Sequence, residues 1–186
     1  MKDLKIIVTT EEVKVGEWPY LIKPNKQYIK SGEYKATIIF DKSSIGELEK
    51  KINIVLNDKT ERTIIEKNIS SSEIGNIEPF KPFLLNDEVI KDKVQAVIKT
   101  KKKTPIFDKD NKKIKPKDIK EGSIIKVNIE ITPYVFKDNG IYKVGVNLYY
   151  KAIQVIKLIE TDKDILEDED LEPEQFGFTT NSIQDF

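Results

Sequence analysis

Cysteine and histidine are both missing from this chain, and tryptophan and methionine occur once each. Without thiols or imidazoles there are no disulfides, thiolate nucleophiles, histidine bases or usual zinc ligands. An enzymatic reading would rest on carboxylates alone, and these fall in no pattern that picks out a catalytic pair. A glycine-rich phosphate loop and a nucleophile elbow are also lacking. Asp108, Asp110 and Asn111 in FDKDN resemble the start of a calcium loop, but the glycine and the closing glutamate are absent. The expectation is a protein without catalysis, cofactor or metal. No run approaches the roughly 20 apolar residues that cross a bilayer. The opening MKDLKIIVTTEEVKV has none of the regions of a signal peptide. Those absences predict a soluble, cytoplasmic chain with no membrane partner.

What is present begins with charge. The 186 residues carry 32 basic and 32 acidic side chains, a net charge of zero that conceals a segregation. Residues 160–186 hold ten acids against Lys163, a balance of −9, which leaves 31 bases and 22 acids, or +9, in residues 1–159. A basic body is thus opposed by an acidic end. The length suits one domain with an appendage.

Strand signals dominate the body. LKIIVTTEEVKV (4–15) is rich in β-branched residues, and EYKATIIF (33–40) alternates Tyr34, Ala36, Ile38 and Phe40 against Lys35, Thr37 and Ile39. Ile45, Leu48, Ile52 and Val55 recur at helical spacing behind Ser43 or Ser44, so the spacing predicts a capped amphipathic helix over 44–57. Residues 58–91 yield no clear pattern, although Pro79 and Pro82 mark an extended connection. Three strands follow at 94–103, 123–136 and 142–158, with a polar loop over 108–122. Asn139-Gly140 predicts an antiparallel hairpin between the last two. About five strands and one helix fit a small barrel of the OB type.

Beyond Leu158 the apolar periodicity stops, which predicts a basic domain over 1–159 and a flexible acidic tail over 160–186. Phe176, Phe178, Asp185 and Phe186 in that tail are candidate anchors for a partner. In SIIKVNIEITPYVF, alternation buries Ile125, Val127, Ile129 and Ile131 and turns Lys126, Tyr134 and Phe136 outward, the aromatics beside the lysine. In the partner strand Val144, Val146 and Leu148 point inward, and Lys143, Gly145, Asn147 and Tyr149 outward. Aromatic rings and lysines on one face are what single-stranded nucleic acid needs, because bases stack and phosphates seek positive charge. Lys99, Lys101, Lys102 and Lys103, with Phe107 after them, form a second candidate contact ridge. Trp18 and Tyr20 flank Pro19, where they either stack bases or plug the barrel, packing into the core being the expected role for a lone tryptophan.

These features resemble phage single-stranded DNA-binding proteins of the OB type. WPYLIKPN is similar to the family's aromatic-proline segment, EYKATIIFDKS to its early strand and turn, and GSIIKVNIEITPYVFKDNGIYKVGVNLYYKAIQVIKL to its closing hairpin. The acidic tail with an aromatic end is similar too, and the likeness spans about two thirds of the chain. The resemblance implies a protein that coats exposed single-stranded DNA in replication, recombination and repair. Its tail would recruit replisome proteins such as a DNA polymerase or a helicase-primase, and a homodimer is compatible with it. By position it implies DNA contacts at Lys126, Tyr134, Phe136 and Tyr149 and partner contacts at Asp185 and Phe186. Arg62 as the sole arginine departs from the pattern and leaves phosphate contacts to lysine. Two other readings are a barrel that binds only protein, indifferent to polynucleotide, and a carboxylate-dependent nuclease, which would need divalent metal.

Overall fold

The computed structural model describes residues 2–27, 32–116 and 118–159, together with the backbone of 166 and 167. In chain order the elements are β1 (Ile6–Thr9), β2 (Val13–Val15), β3 (Tyr20–Asn25), β4 (Glu33–Asp41), α1 (Gly46–Lys67), β5 (Ile74–Asn76), β6 (Lys81–Leu85), β7 (Glu88–Thr100), β8 (Ile106–Phe107), β9 (Ile114–Lys115), β10 (Ile124–Asp138), β11 (Ile141–Lys157) and β12 (Leu166–Glu167). β10 pairs with β2, β2 with β4, β4 with β7, β7 with β11, and β11 returns to β10. The sheet closes on itself as a five-stranded barrel, as the sequence predicts. Closure leaves its central strands no free edge.

Alternation builds the core. Ile38, Ile98, Ile125, Val127, Ile129, Ile131, Val144 and Leu148 fill the interior, each no more than 2 % exposed. The predicted first strand is interrupted rather than continuous. Thr10 donates its N–H to the Val127 carbonyl while its Oγ1 accepts the Val127 N–H, so the chain bulges between β1 and β2. Asn139 and Gly140 both adopt positive φ and close the β10–β11 hairpin at the expected place. That hairpin holds a bulge of its own, where Asn128 faces Ala152 and Ile129 faces Tyr150.

The helix runs ten residues beyond the predicted end and covers the barrel with Leu48, Ile52, Val55, Leu56 and Thr63. Neither Ser43 nor Ser44 caps it. Ile45 occupies the N-cap without a side-chain bond, and the Ser44 hydroxyl donates to the Asp41 carbonyl instead. At its far end Asn68 takes the left-handed conformation, which stops the helix. Residues 81–100 form a second hairpin, turning at Asn86 and Asp87 with φ of 50 and 64 degrees. β7 therefore starts earlier than predicted and stops at Thr100, leaving Lys101, Lys102 and Lys103 outside the strand. Leu166 and Glu167 of the predicted tail pair antiparallel with Lys115 and Ile114. Among the described residues no helix is long and apolar enough to cross a membrane.

Candidate nucleic-acid interface

The outer face of the barrel carries the residues that period-two alternation leaves out of the core. Register sets Tyr134 opposite Gly145 and Phe136 opposite Lys143. A Cβ at position 145 would stand 2.5 Å from both Cζ and Oη of Tyr134, so the phenol ring lies across β11 in space that only glycine leaves open. Tyr134 and Phe136 are stacked, with centroids 6.2 Å apart and planes 18° from parallel. Phe136 is exposed, and Lys143 adjoins the pair through its register with Phe136. The result is a small aromatic platform on the protein surface, and the Lys143 ammonium group lies over Gly75 of β5 on the other side of β11.

The platform opens onto a groove. β7 pairs with β11 only at Ile98 and Lys99, opposite Leu148 and Tyr149. Nearer its start it turns away to pair with β6, Gln95 meeting Lys81. The space between the diverging strands, about 470 Å³, is lined by Thr37, Gln95, Val97, Lys99, Tyr134 and Asn147 and walled by Ile77, Glu78, Pro79 and Lys81. Thr37, Gln95 and Val97 also line a second space of about 790 Å³ over β4, between Trp18 and Tyr20 on one side and Leu84 and Leu85 on the other. The two form one surface channel across β11, β7 and β4. β4 and β7 are the second and third strands of the barrel, and that face, with its flanking loops, is where OB barrels receive oligonucleotides.

The expected contact residues divide into separate places. Lys99 sits beside Tyr149 and opposite Lys35; it lines the same space as Tyr134, toward the end of the channel away from the ring pair. Four residues along β11 separate Gly145 from Tyr149, roughly 13 Å at strand rise. Lys101, Lys102 and Lys103 follow Lys99 as an exposed loop at that same end. Lys126 does not join the aromatics as predicted. It faces Gln154, and eight residues of strand, roughly 26 Å, lie between it and Tyr134. Phe107 is fully buried against Ala152, so its ring seals the loop onto the barrel and has no face for a base. Phe176, Phe178, Asp185 and Phe186 lie outside the described residues.

Trp18 reverses its expectation. It is 78 % exposed rather than packed in the core. Sequence reasoning also missed Lys35, Thr37, Gln95 and Val97 as channel floor. Their signal was available, since all four occupy outward positions on strands recognised from alternation. Glu130, opposite Tyr149, is the countercharge on this face, 3.2 Å from Lys151 and 3.7 Å from Lys5. Burial pushes its carboxyl pKa up, but the hydrogen bond and charge of Lys151, with Lys5 and the Thr132 hydroxyl, outweigh this and hold it below the usual value. Asp108 is occupied as a loop organiser, its Oδ1 accepting the backbone N–H of Asp110 and Lys112. Among the described residues no three acidic groups converge to hold a metal ion.

No protein-family model matches the sequence, and no curated protein matches it significantly. Solved structures do match. Gp2.5, a single-stranded DNA-binding protein encoded by bacteriophage T7, shares 18 % identity over 88 % of this chain and 98 % of its own, with a TM-score of 0.64. The single-stranded DNA-binding protein from bacteriophage Enc34, in complex with single-stranded DNA, shares 14 % over 83 % of this chain and 88 % of its own, at 0.53. Its C-terminally truncated form shares 14 % over 84 % and 88 %, at 0.51. The chain is a mainly β, OB-like barrel with the fold of these phage single-stranded DNA-binding proteins.

Proposed function

We propose that this protein binds single-stranded DNA along the channel across β11, β7 and β4. The observation that carries the reading is the stack of half-buried Tyr134, lying over Gly145, on exposed Phe136, with Lys143 in register with Phe136. Rings in that setting add nothing to the core, whereas an unpaired base stacks on such a surface for roughly 1–3 kcal/mol. The lysines at the other end, Lys99 and Lys101 to Lys103, supply charge for phosphates. Duplex DNA keeps its bases inside and cannot use the platform. The likeness in fold to proteins that bind single-stranded DNA supports the same conclusion.

In this reading residues 1–159 are the binding domain and residues 160–186 a regulatory and recruiting tail. Twenty-seven residues, at roughly 5–6 Å times the square root of the length, give a reach of about 30 Å. The tail reaches the basic surface, where an intramolecular polyanion competes with phosphate. The pairing of Leu166 and Glu167 with β9 supports this, since it brings the tail onto the loop that carries Lys112, Lys113 and Lys115. DNA arriving in the channel displaces the tail and frees it for replisome partners. The protein thereby coats exposed strands during replication, recombination or repair.

The test is anisotropy of a labelled oligo-dT of about 30 nucleotides, longer than one OB-fold site, against the full chain at several salt concentrations with a duplex control. With about four phosphate contacts, log K falls against log salt with a slope of roughly −3, at about −0.7 per contact. Substituting Lys99 and Lys101 by Gln flattens that slope by roughly 0.7 each. Equal affinity for duplex, or no binding, refutes the reading.

A further inference from the structure

Trp18 is held in two unfavourable states at once. Its backbone has φ of 52 degrees, the left-handed region that a bulky residue adopts only when its surroundings impose it. Such outliers concentrate at ligand clamps and switch regions. Its indole is 78 % exposed, although burial of that ring is ordinarily among the largest apolar gains a side chain offers. The ring instead lines the β4 part of the channel, across from Leu84 and Leu85 on the β6–β7 hairpin. Resting on the single-strand reading above, we infer that Trp18 is a second base-stacking station, closing on a nucleobase at the β4 end while Tyr134 and Phe136 hold one at the β11 end.

The local charges say what kind of contact this is. Around Trp18 the channel carries Lys14 and Lys35 against Glu17, Asp87 and Glu121, one negative charge in excess. Phosphates gain nothing there, so the ligand feature taken at this end is the base itself. The contribution of Trp18 is then independent of salt, unlike that of the lysines. The same acids repel the second phosphate backbone of a duplex and add to single-strand selectivity. From Tyr134 on β10 to β4 is three inter-strand steps, roughly 14 Å. One strand of DNA therefore has to run across the sheet to reach both stations.

Trp18 is the sole tryptophan in the chain, so intrinsic emission reports this residue alone. The full-length protein is titrated with unlabelled oligo-dT while that emission is followed. In parallel, labelled oligo-dT anisotropy is measured for wild type, Trp18→Phe, Trp18→Leu and Trp18→Gly at two salt concentrations. Expected are strong quenching of Trp18, near-wild-type affinity for Trp18→Phe, and a loss of roughly 5- to 150-fold for Trp18→Leu and Trp18→Gly with unchanged salt slopes. Trp18→Gly, which relieves the backbone, keeps or raises the thermal midpoint, so its weaker binding is not misfolding. If oligo-dT binds but leaves the emission unchanged, and Trp18→Leu binds as wild type, the second station is overturned while the single-strand reading stands. If no oligo-dT binds, both fall.

Discussion

Gly145→Ala separates the site from the fold more cleanly than removing a contact residue would. The glycine does not have positive φ, so alanine introduces no backbone strain. In a strand it restores about 0.5–1 kcal/mol of the entropy that glycine forfeits. Its methyl group, however, would stand 2.5 Å from Tyr134 Cζ and Oη, well inside any real contact. Those atoms are the free end of the side chain, so the ring can swing outward without disturbing the barrel. It then leaves Phe136 and the platform is lost. The variant should match or exceed wild type in urea denaturation while binding oligo-dT more weakly by roughly 1–3 kcal/mol, about 5- to 150-fold. A double-mutant cycle isolates the cause. In a Tyr134→Ala background, Gly145→Ala should cost nothing in binding, because the ring it displaces is already gone. Wild-type affinity for Gly145→Ala, or an equal loss in both backgrounds, refutes the platform.

Other consequences are as direct. Glu130→Gln frees Lys5 and Lys151 beside Tyr149 and should tighten oligo-dT binding several-fold and steepen its salt dependence; unchanged titrations would show that this side of β10 faces away from DNA. Because the folded pKa of Glu130 lies below its reference value of 4.5, the ion pairs stabilise the fold above that value and their contribution disappears as pH falls through the lowered one. Wild type should then exceed Glu130→Gln by up to about 1 kcal/mol in neutral urea melts, and the gap should close in acid. Ending the chain after Ile159 should tighten DNA binding, most at low salt, and equal or weaker affinity would eliminate competition by the tail. Phe107→Ala should cost about 3–5 kcal/mol of stability with unchanged affinity in the folded protein; selective loss of binding would restore Phe107 to the interface.

How much of this was legible depends on whether the signal is local. Period-two alternation is local, so EYKATIIF and the long final hairpin could be placed with their buried faces, and Asn139-Gly140 located the turn. The same alternation put Tyr134, Phe136, Lys143 and Tyr149 on the outer surface. That Lys126 lies far along the strand from Tyr134 was legible as well, from eight positions at strand rise, and the expectation failed because sharing a face is not sharing a place. Phe107 misled because the β8–β9 loop folds back onto Ala152, a contact across 45 positions that no window of sequence contains. The helix outran its prediction because only one side, ending in Thr63, needs burial. Its second half reads as polar, and Ile65 is left exposed.

The channel is the least local feature, and its origin explains why. β7 uses one edge for two partners, β11 at Ile98 and Lys99 and β6 from Glu88 to Gln95. A strand shared in this way must leave one neighbour to meet the other. The gap where it departs is where Tyr134 lies, over the one residue of β11 without a side chain. The second hairpin that draws β7 aside turns at Asn86 and Asp87, a weaker turn signal than Asn-Gly, within the stretch where no pattern was readable. The aromatic platform and the lysine end thus owe their separation to a pairing choice made elsewhere in the chain. The composition of the face was written in the strands that form it, and its shape in the hairpin beside them.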